Sequence, residues 1–533
     1  MGASLRAVRA LVLLAGFYLL GLVLLAVLAG ADYAVLASGH GGPAAVKIVI
    51  VSVVLAVPIV RGLFMLRTPK GEPPAGVPVT EAQEPLLWQT VRDVARQVGT
   101  RAPDEIVLID EVNAAVGEDA KLLGLRPRTR RLYLGLPLMT GLDEMQLRAV
   151  LAHEMGHYAN LDTRLTPLIA RGRAQLIRTI GHFHDRADSK VAKERAKQEK
   201  KAEKRIANGK KAKEINTAGE GAMYRAMAKI YTAYGKFYMR ATLSSARRQE
   251  LAADLASVEV AGRDSAASAL RELNALDSAH DFYMRSYATL GVGAGLLPRP
   301  GQVFGGLRTL LEARSAELDG LRHELSTEPT SPYDSHPALA ERVARIEALP
   351  DDGRGGQAAR PSLELLASPQ ASLTALEQAV LSPQALALKR VDWEDLVHES
   401  MTQYVGQGAA EVREALAAEG AGPELAVLLD AIDADPAVRW RIADRLPKSE
   451  EAASATGRAA REFARPVVRR ALNQLVTVEL TARGAARWQL SWSDSATLRY
   501  PADGFEDQLG LALDAAVADQ PDTESLRKLV LAP

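Results

Sequence analysis

The chain has 533 residues, 47% hydrophobic and 24% charged, with 65 Lys and Arg balancing 65 Asp and Glu. That length exceeds one ordinary domain, and a formal net charge of zero gives no whole-molecule field for nucleic acid. The absence of cysteine excludes disulfides, thiolate metal sites and a cysteine nucleophile.

From Ala10 to Ala31 the chain is uncharged and mostly Leu, Val and Ala, long enough to cross a hydrocarbon core as a helix. A second apolar run covers Ile48 to Val60 and reaches Leu66 if Arg61 snorkels. Gly39-His-Gly-Gly-Pro43 between them reads as a turn, so residues 1–70 are predicted to form a hairpin of two spans, at about 10–31 and 46–66. Arg6 and Arg9 precede the first span, and Arg61, Arg67 and Lys70 follow the second, while the loop has no basic residue before Lys47. Positive-inside logic makes this a multi-pass protein of the cell membrane with everything after residue 70 in the cytoplasm. A cleaved signal peptide over Arg6 to Ala31 is the competing reading, disfavoured by the long apolar core and the second run.

Residues 68–86, rich in Pro, Gly and Glu, read as a linker, and a helix is predicted from Glu84 to Val98. Glu105 to Asp110 and Arg131 to Gly135 are short apolar runs between turn signals, the pattern of two strands in a small sheet. Asp143 and Glu144 then mark a helix start. On that helix His153 and His157 lie one turn apart on one face, where both imidazoles reach one ion. Glu154 beside them is placed to polarise a water without itself ligating, which is the head of a metal-dependent hydrolase. Ala149, Ala152, Gly156 and Ala159 on the opposite side predict close packing nearly all round.

Two histidines leave a catalytic zinc one protein ligand short, and without cysteine the third must be a carboxylate or another His. Arg247-Arg-Gln-Glu250-Leu-Ala-Ala-Asp254 offers Glu250 for the metal and Asp254 to hold a ligating ring's free nitrogen. A solvated face with an Arg247 to Glu250 ion pair fits the same spacing equally well. Before it, Leu165 to Phe183 carries Arg171, Arg173 and Arg178 and is too charged to span easily. A Lys, Glu and Ala insertion at about 185–215, broken at Asn208-Gly209, reads as a solvated helical arm whose basic excess could meet anionic lipid. Met223 to Thr242, with Tyr224, Tyr231, Tyr234 and Tyr238, suits either a membrane interface or a core-facing amphipathic helix.

Pro350 to Gly356 is expected to mark a boundary. Beyond it, residues 351–533 are predicted to hold Ala-rich helices including Pro436 to Leu446, a strand at Leu475 to Leu480, and a turn at Arg483-Gly484. A second strand through Trp488, Leu490 and Trp492 and a helix from Phe505 to Val517 complete that region. His398-Glu399 has no second His and reads as a surface feature.

Taken together, His153-Glu-Met-Gly-His157 followed by Asn160, Asp162, Arg247, Glu250 and Asp254 resembles the HtpX and CAAX-prenyl-endopeptidase family of integral-membrane zinc metalloproteases. Val112-Asn113-Ala114 resembles that family's Asn-Ala segment on a substrate-pairing edge strand, and Ser335-His336-Pro337 with Arg342 resembles its Thr-His-Pro element and following Arg. The resemblance covers roughly residues 85 to 350. It implies one zinc ion held by His153, His157 and Glu250, Glu154 as general base and acid, Asp254 behind a ligand, His336 or Arg342 at the oxyanion, and Asn113 and Ala114 at the substrate. The fold class expected is α+β, mainly helical: a transmembrane hairpin, a zincin-like domain with a small sheet over 71–350, and a C-terminal α+β extension over 351–533. Implied partners are protein or peptide substrates, including membrane or misfolded proteins, and the lipid bilayer, with no nucleic acid. Ala246 departs from the family's usual Ser, and the charged stretch after His157 gives no support to a multi-helix intramembrane chamber. A catalytically silent membrane scaffold that keeps the fold is the alternative, and a non-peptidase zinc hydrolase is a third reading.

Overall fold

The computed structural model describes residues 3–38, 42–64, 74–121, 126–159, 166–208, 211, 214–325, 337–355, 360–420 and 422–531. Contacts group these into two compact units, one of residues 1–274 and 321–367, the other of 275–320 and 368–533. Residues 350–355, the described part of the expected Pro350 to Gly356 boundary, lie shortly before the second crossing, between Ala367 and Ser368. The fold is α+β and mainly helical, as the sequence implies.

The first unit begins with helices α1 (Ala3–Ala37) and α2 (Pro43–Phe64). Among the described residues one helix, Val12–Ala37, is long and apolar enough to cross a membrane. Its outward face is apolar, with Leu19, Leu22, Val23 and Val27 exposed. A four-stranded sheet follows, built from β1 (Val77–Val79), β2 (Glu105–Ile109), β3 (Ala114–Lys121) and β4 (Arg126–Gly135) in the order β1-β2-β4-β3. β2 and β4 are the two strands read from the sequence, and they pair in parallel. β1 and β3 pair antiparallel on either side, which leaves β3 at an edge. Helix α3 (Pro85–Val98) stops at Gly99, whose φ of 77° needs a residue without Cβ, and its Trp88 donates Nε1–H to the Val79 carbonyl at 3.1 Å.

After a short helix α4 (Leu136–Gly141) comes α5 (Glu144–Ala159). Its start is fixed by a reciprocal cap in which the Asp143 carboxylate accepts the Gln146 N–H at 2.8 Å and the Gln146 side chain accepts the Asp143 N–H at 3.0 Å. Two long helices follow, α6 (Thr166–Ala207) and α7 (Ala222–Ala261). Residues 186–207 of the charged arm are thus the far half of one helix that is continuous from Thr166 and ends at Ala207, beside the break expected at Asn208. Leu13, Phe17, Leu55, Ile59, Leu176, Phe183, Tyr224 and Tyr231 form a core shared by α1, α2, α6 and α7. The tyrosines of α7 are therefore core residues, with Phe183 stacked on Tyr231 at 5.6 Å. The first part of α8 (Arg263–Tyr283), up to Asn274, and α9 (Leu339–Glu347) close the unit through a core of Ala149, Ala266, Ala269, Leu270, Val343 and Ile346.

The second unit corrects one expectation. Leu475 to Leu480 is not a strand but lies inside the helix Gly457–Ala482. Its buried residues, Ala464, Val468, Ala471, Leu472, Leu475, Val476 and Leu480, recur every three to four positions, so the short alternation Val-Thr-Val-Glu-Leu is overridden by a longer helical period. The hairpin sits later, with Arg487–Gln489 paired antiparallel to Thr497–Arg499. Trp488 belongs to it, whereas Leu490 and Trp492 fall beyond the strand. The helix Phe505–Val517 matches its expected bounds, and Val438–Arg445 falls within the expected Pro436 to Leu446. His398 accepts the Trp488 N–H at 3.3 Å, in keeping with a structural side chain.

Candidate metal centre

The site is made where α5 and α7 cross. Small residues set their separation: a Cβ built on Gly156 would lie 3.1 Å from the Ala253 Cα and 3.2 Å from the Ala256 Cβ. The buried Ser257 hydroxyl donates across the same seam to the Ala149 carbonyl at 2.8 Å. Glu250 and Asp254, one turn apart on α7 and only 5% and 4% exposed, are thereby pressed against the two histidines of α5. The solvated-face reading of this segment does not hold.

One oxygen of Glu250 lies 3.6 Å from His153 Nε2 and the other 3.6 Å from His157 Nε2. Those separations are long for hydrogen bonds. Two ligands about 2.0–2.1 Å from a tetrahedral ion stand roughly 3.4 Å apart, so the spacing fits a shared metal. The three ligand atoms lie within 4.8 Å of one another, and this two-imidazole, one-carboxylate group is able to hold a metal ion. The imidazole rings are 4.8 Å apart and nearly perpendicular.

Behind His153, Asp254 Oδ1 lies 3.1 Å from Nδ1 and accepts its N–H, with Nε2 turned towards Glu250. Asp254 is held in turn by Arg342 of α9, through Nη2 to Oδ1 at 2.6 Å and Nε to Oδ2 at 3.1 Å. Arg342 Nη2 also lies 3.3 Å from His153 Nδ1, and Nη1 lies 3.8 Å from Glu250 Oε2. Burial works against charge on His153, but Asp254 and Glu250 overcome it and raise the imidazole pKa to about 9. Burial also opposes ionisation of Asp254, whose pKa is nevertheless lowered by His153 and Arg342.

Glu154 lines a cavity of about 150 Å³ together with His153, Asp254 and Arg342, whose far wall is Val150, Leu270, Leu273 and Ile346. Asn113 and Ala114 stand at the start of the edge strand β3, where the Asn113 carbonyl accepts the Gly135 N–H at 2.8 Å. His336, expected near the site, lies outside the described residues, as do Asn160 and Asp162. The structure thus brings together His153, Glu154, His157, Glu250, Asp254 and Arg342. Gly156 is among the small residues expected to pack closely, and its neighbours prove to be Ala253 and Ala256. Sequence reasoning does not single out Ser257, because its bond to the Ala149 carbonyl is legible only once the two helices are known to cross.

The family model for peptidase family M48 matches residues 81–349. Two curated relatives, each described as a protease HtpX homolog, from Tropheryma whipplei strains Twist and TW08/27, are each 29% identical over 91 residues. The match covers 17% of this chain and only 30% of each relative's length. No solved structure matches the chain. A family match over half the sequence, with the motif histidines and a distant carboxylate converging in space, leads to one statement: the chain belongs to peptidase family M48.

Proposed function

We propose that this protein is a membrane-anchored zinc endopeptidase, with residues 1–70 as a two-span anchor, 71–350 as a catalytic domain on the cytoplasmic side, and 351–533 as a C-terminal extension. The observation that carries the reading is Glu250, whose Oε2 lies 3.6 Å from His153 Nε2 and whose Oε1 lies 3.6 Å from His157 Nε2. Zinc suits two imidazoles and a carboxylate, and when bound it supplies Lewis-acid activation of a water and of the scissile carbonyl.

The chain's own residues do the rest. Glu154 takes a proton from the attacking water and passes it to the leaving amine, with the cavity beside it offering space for a substrate group. Asp254 fixes the tautomer of His153 so that Nε2 stays a ligand. Arg342 neutralises Asp254 and brings positive charge towards Glu154 and the developing oxyanion, a task His336 is expected to share. Asn113 and Ala114 receive the substrate backbone at the edge of the sheet. The substrates are polypeptides, membrane or misfolded proteins among them, and the bilayer is the second partner, through α1, α2 and the basic half of α6.

Cleavage of an unfolded protein by the detergent-purified, zinc-loaded chain tests this. Glu154→Gln is expected to keep the metal and lose about 10²–10⁴ in rate. His153→Ala and Glu250→Ala should lose bound zinc. Stoichiometric zinc in a wild-type protein that cleaves nothing would turn the assignment to a silent scaffold.

A further inference from the structure

We infer that Tyr158 determines how much of a substrate is gripped on the amino-terminal side of the cleaved bond, by closing the free edge of β3 one step beyond Ala114. The inference rests on the peptidase reading above. Because the Asn113 carbonyl accepts the Gly135 N–H, and Ala115 and Gly117 lie opposite Tyr133 and Arg131, these alternate residues turn their polar groups to β4. Ala114 and Val116 therefore turn theirs to the open edge. The Val116 carbonyl on that edge accepts the Tyr158 hydroxyl.

The tyrosine is held in place. The guanidinium of Arg130 lies over its ring at 4.8 Å. Arg130 is itself buried and anchored by Thr100 Oγ1 at 3.1 Å and the Arg101 carbonyl at 2.5 Å. Tyr158 also directly follows His157, so the closure stands beside the metal group.

A peptide adding antiparallel to β3 uses the N–H and C=O of Ala114 and then those of Val116. The residue facing Val116 lies amino-terminal to the one facing Ala114. The Tyr158 hydroxyl stands where a peptide N–H would meet the Val116 carbonyl and so keeps a further residue off the edge, which ends the track there. Selection then falls on residues near the bond and carboxy-terminal to it.

The test uses the full-length, zinc-loaded protein and peptides that share one cleaved bond but are lengthened residue by residue on either side. For wild type, kcat/KM is expected to stay within about twofold as amino-terminal residues are added beyond the one at Ala114. Tyr158→Phe should gain about fivefold, mainly in KM, when the residue facing Val116 is added, the worth of one newly available hydrogen bond. Carboxy-terminal lengthening should act alike on both proteins. A wild-type rate that climbs with amino-terminal length, or a zinc-replete Tyr158→Phe that stays flat, overturns the inference while leaving the peptidase reading intact. Loss of zinc from Tyr158→Phe also overturns it, because the residue would then serve the metal helix alone. A wild type that cuts none of the peptides overturns the peptidase reading together with this one.

Discussion

Gly156 is the position where a single methyl group tests the whole construction of the site. An alanine Cβ there would lie 3.1 Å from the Ala253 Cα and 3.2 Å from the Ala256 Cβ, whereas carbon atoms settle at about 3.5–4.0 Å. The obstruction is helix backbone, so α5 and α7 must part by roughly 0.5 Å for alanine and further for valine. Glu250 sits one turn from that contact, and its 3.6 Å approaches to both imidazoles would open by a similar amount. Metal–ligand bonds tolerate only about 0.2 Å of error. Gly156→Ala is therefore expected to cost about 1–3 kcal/mol of stability and to weaken zinc binding about tenfold, with Gly156→Val worse on both counts. Thermal unfolding and chelator-competition titration of zinc are the assays. Gly181→Ala serves as control, since a Cβ there meets nothing within 4 Å and a helical alanine should be neutral or stabilising. Unchanged zinc affinity and melting temperature in Gly156→Ala would refute the idea that this contact sets the ligand spacing.

Asp254→Asn keeps the shape but sets an amide against Arg342 and His153; zinc affinity should fall about 10–100-fold, as read by competition with a fluorescent chelator. Arg342→Lys cannot reproduce the two-pronged contact with Asp254 and should lower both melting temperature and zinc affinity, less severely than Arg342→Ala. Ser257→Ala removes a buried bond to the Ala149 carbonyl and should cost about 1 kcal/mol, measured by denaturant unfolding. Leu472→Ala, at a fully buried position of the helix Gly457–Ala482, should cost about 2–5 kcal/mol; a value near zero would contradict the helical packing assigned there.

The chemistry of the site was legible because ligands must be particular residue types at particular spacings. His153 and His157 declare a helix face by themselves, and the absence of cysteine confined the third ligand to His or carboxylate. Packing removes the surface ion pair that the sequence left open at Glu250: the residue is buried against both imidazoles, where a third ligand would have to stand. Strands were harder. β3 runs Ala-Ala-Val-Gly-Glu-Asp-Ala-Lys, with little β-branched or aromatic content, because an edge strand draws its order from the neighbour it pairs with. The stretch Leu475 to Leu480 misleads for the opposite reason: five of its residues, Val476 to Leu480, alternate by chance inside a helix whose true period appears only over its full 26 residues.

The same logic ties the metal group to the helices that precede and follow it. α7 runs unbroken for 40 residues, about 60 Å, with Tyr224 and Tyr231 packed among α1, α2 and α6 at one end and Glu250 and Asp254 at the other. An unbroken helix passes rotation and axial displacement along its length, because sliding one turn past another would break its ladder of backbone hydrogen bonds. The approach of Glu250 to the histidines is consequently fixed by two seams on one rod. One is the Gly156 contact beside the site, and the other is the aromatic core of the helical bundle, where Phe183 and Phe17 lie 5.6 Å and 6.0 Å from the ring of Tyr231. Tyr231→Ala, remote from every metal-binding atom, should on this argument loosen zinc as well as the bundle. A variant with a softened bundle and wild-type zinc affinity would mean that the Gly156 seam alone holds α7 in place.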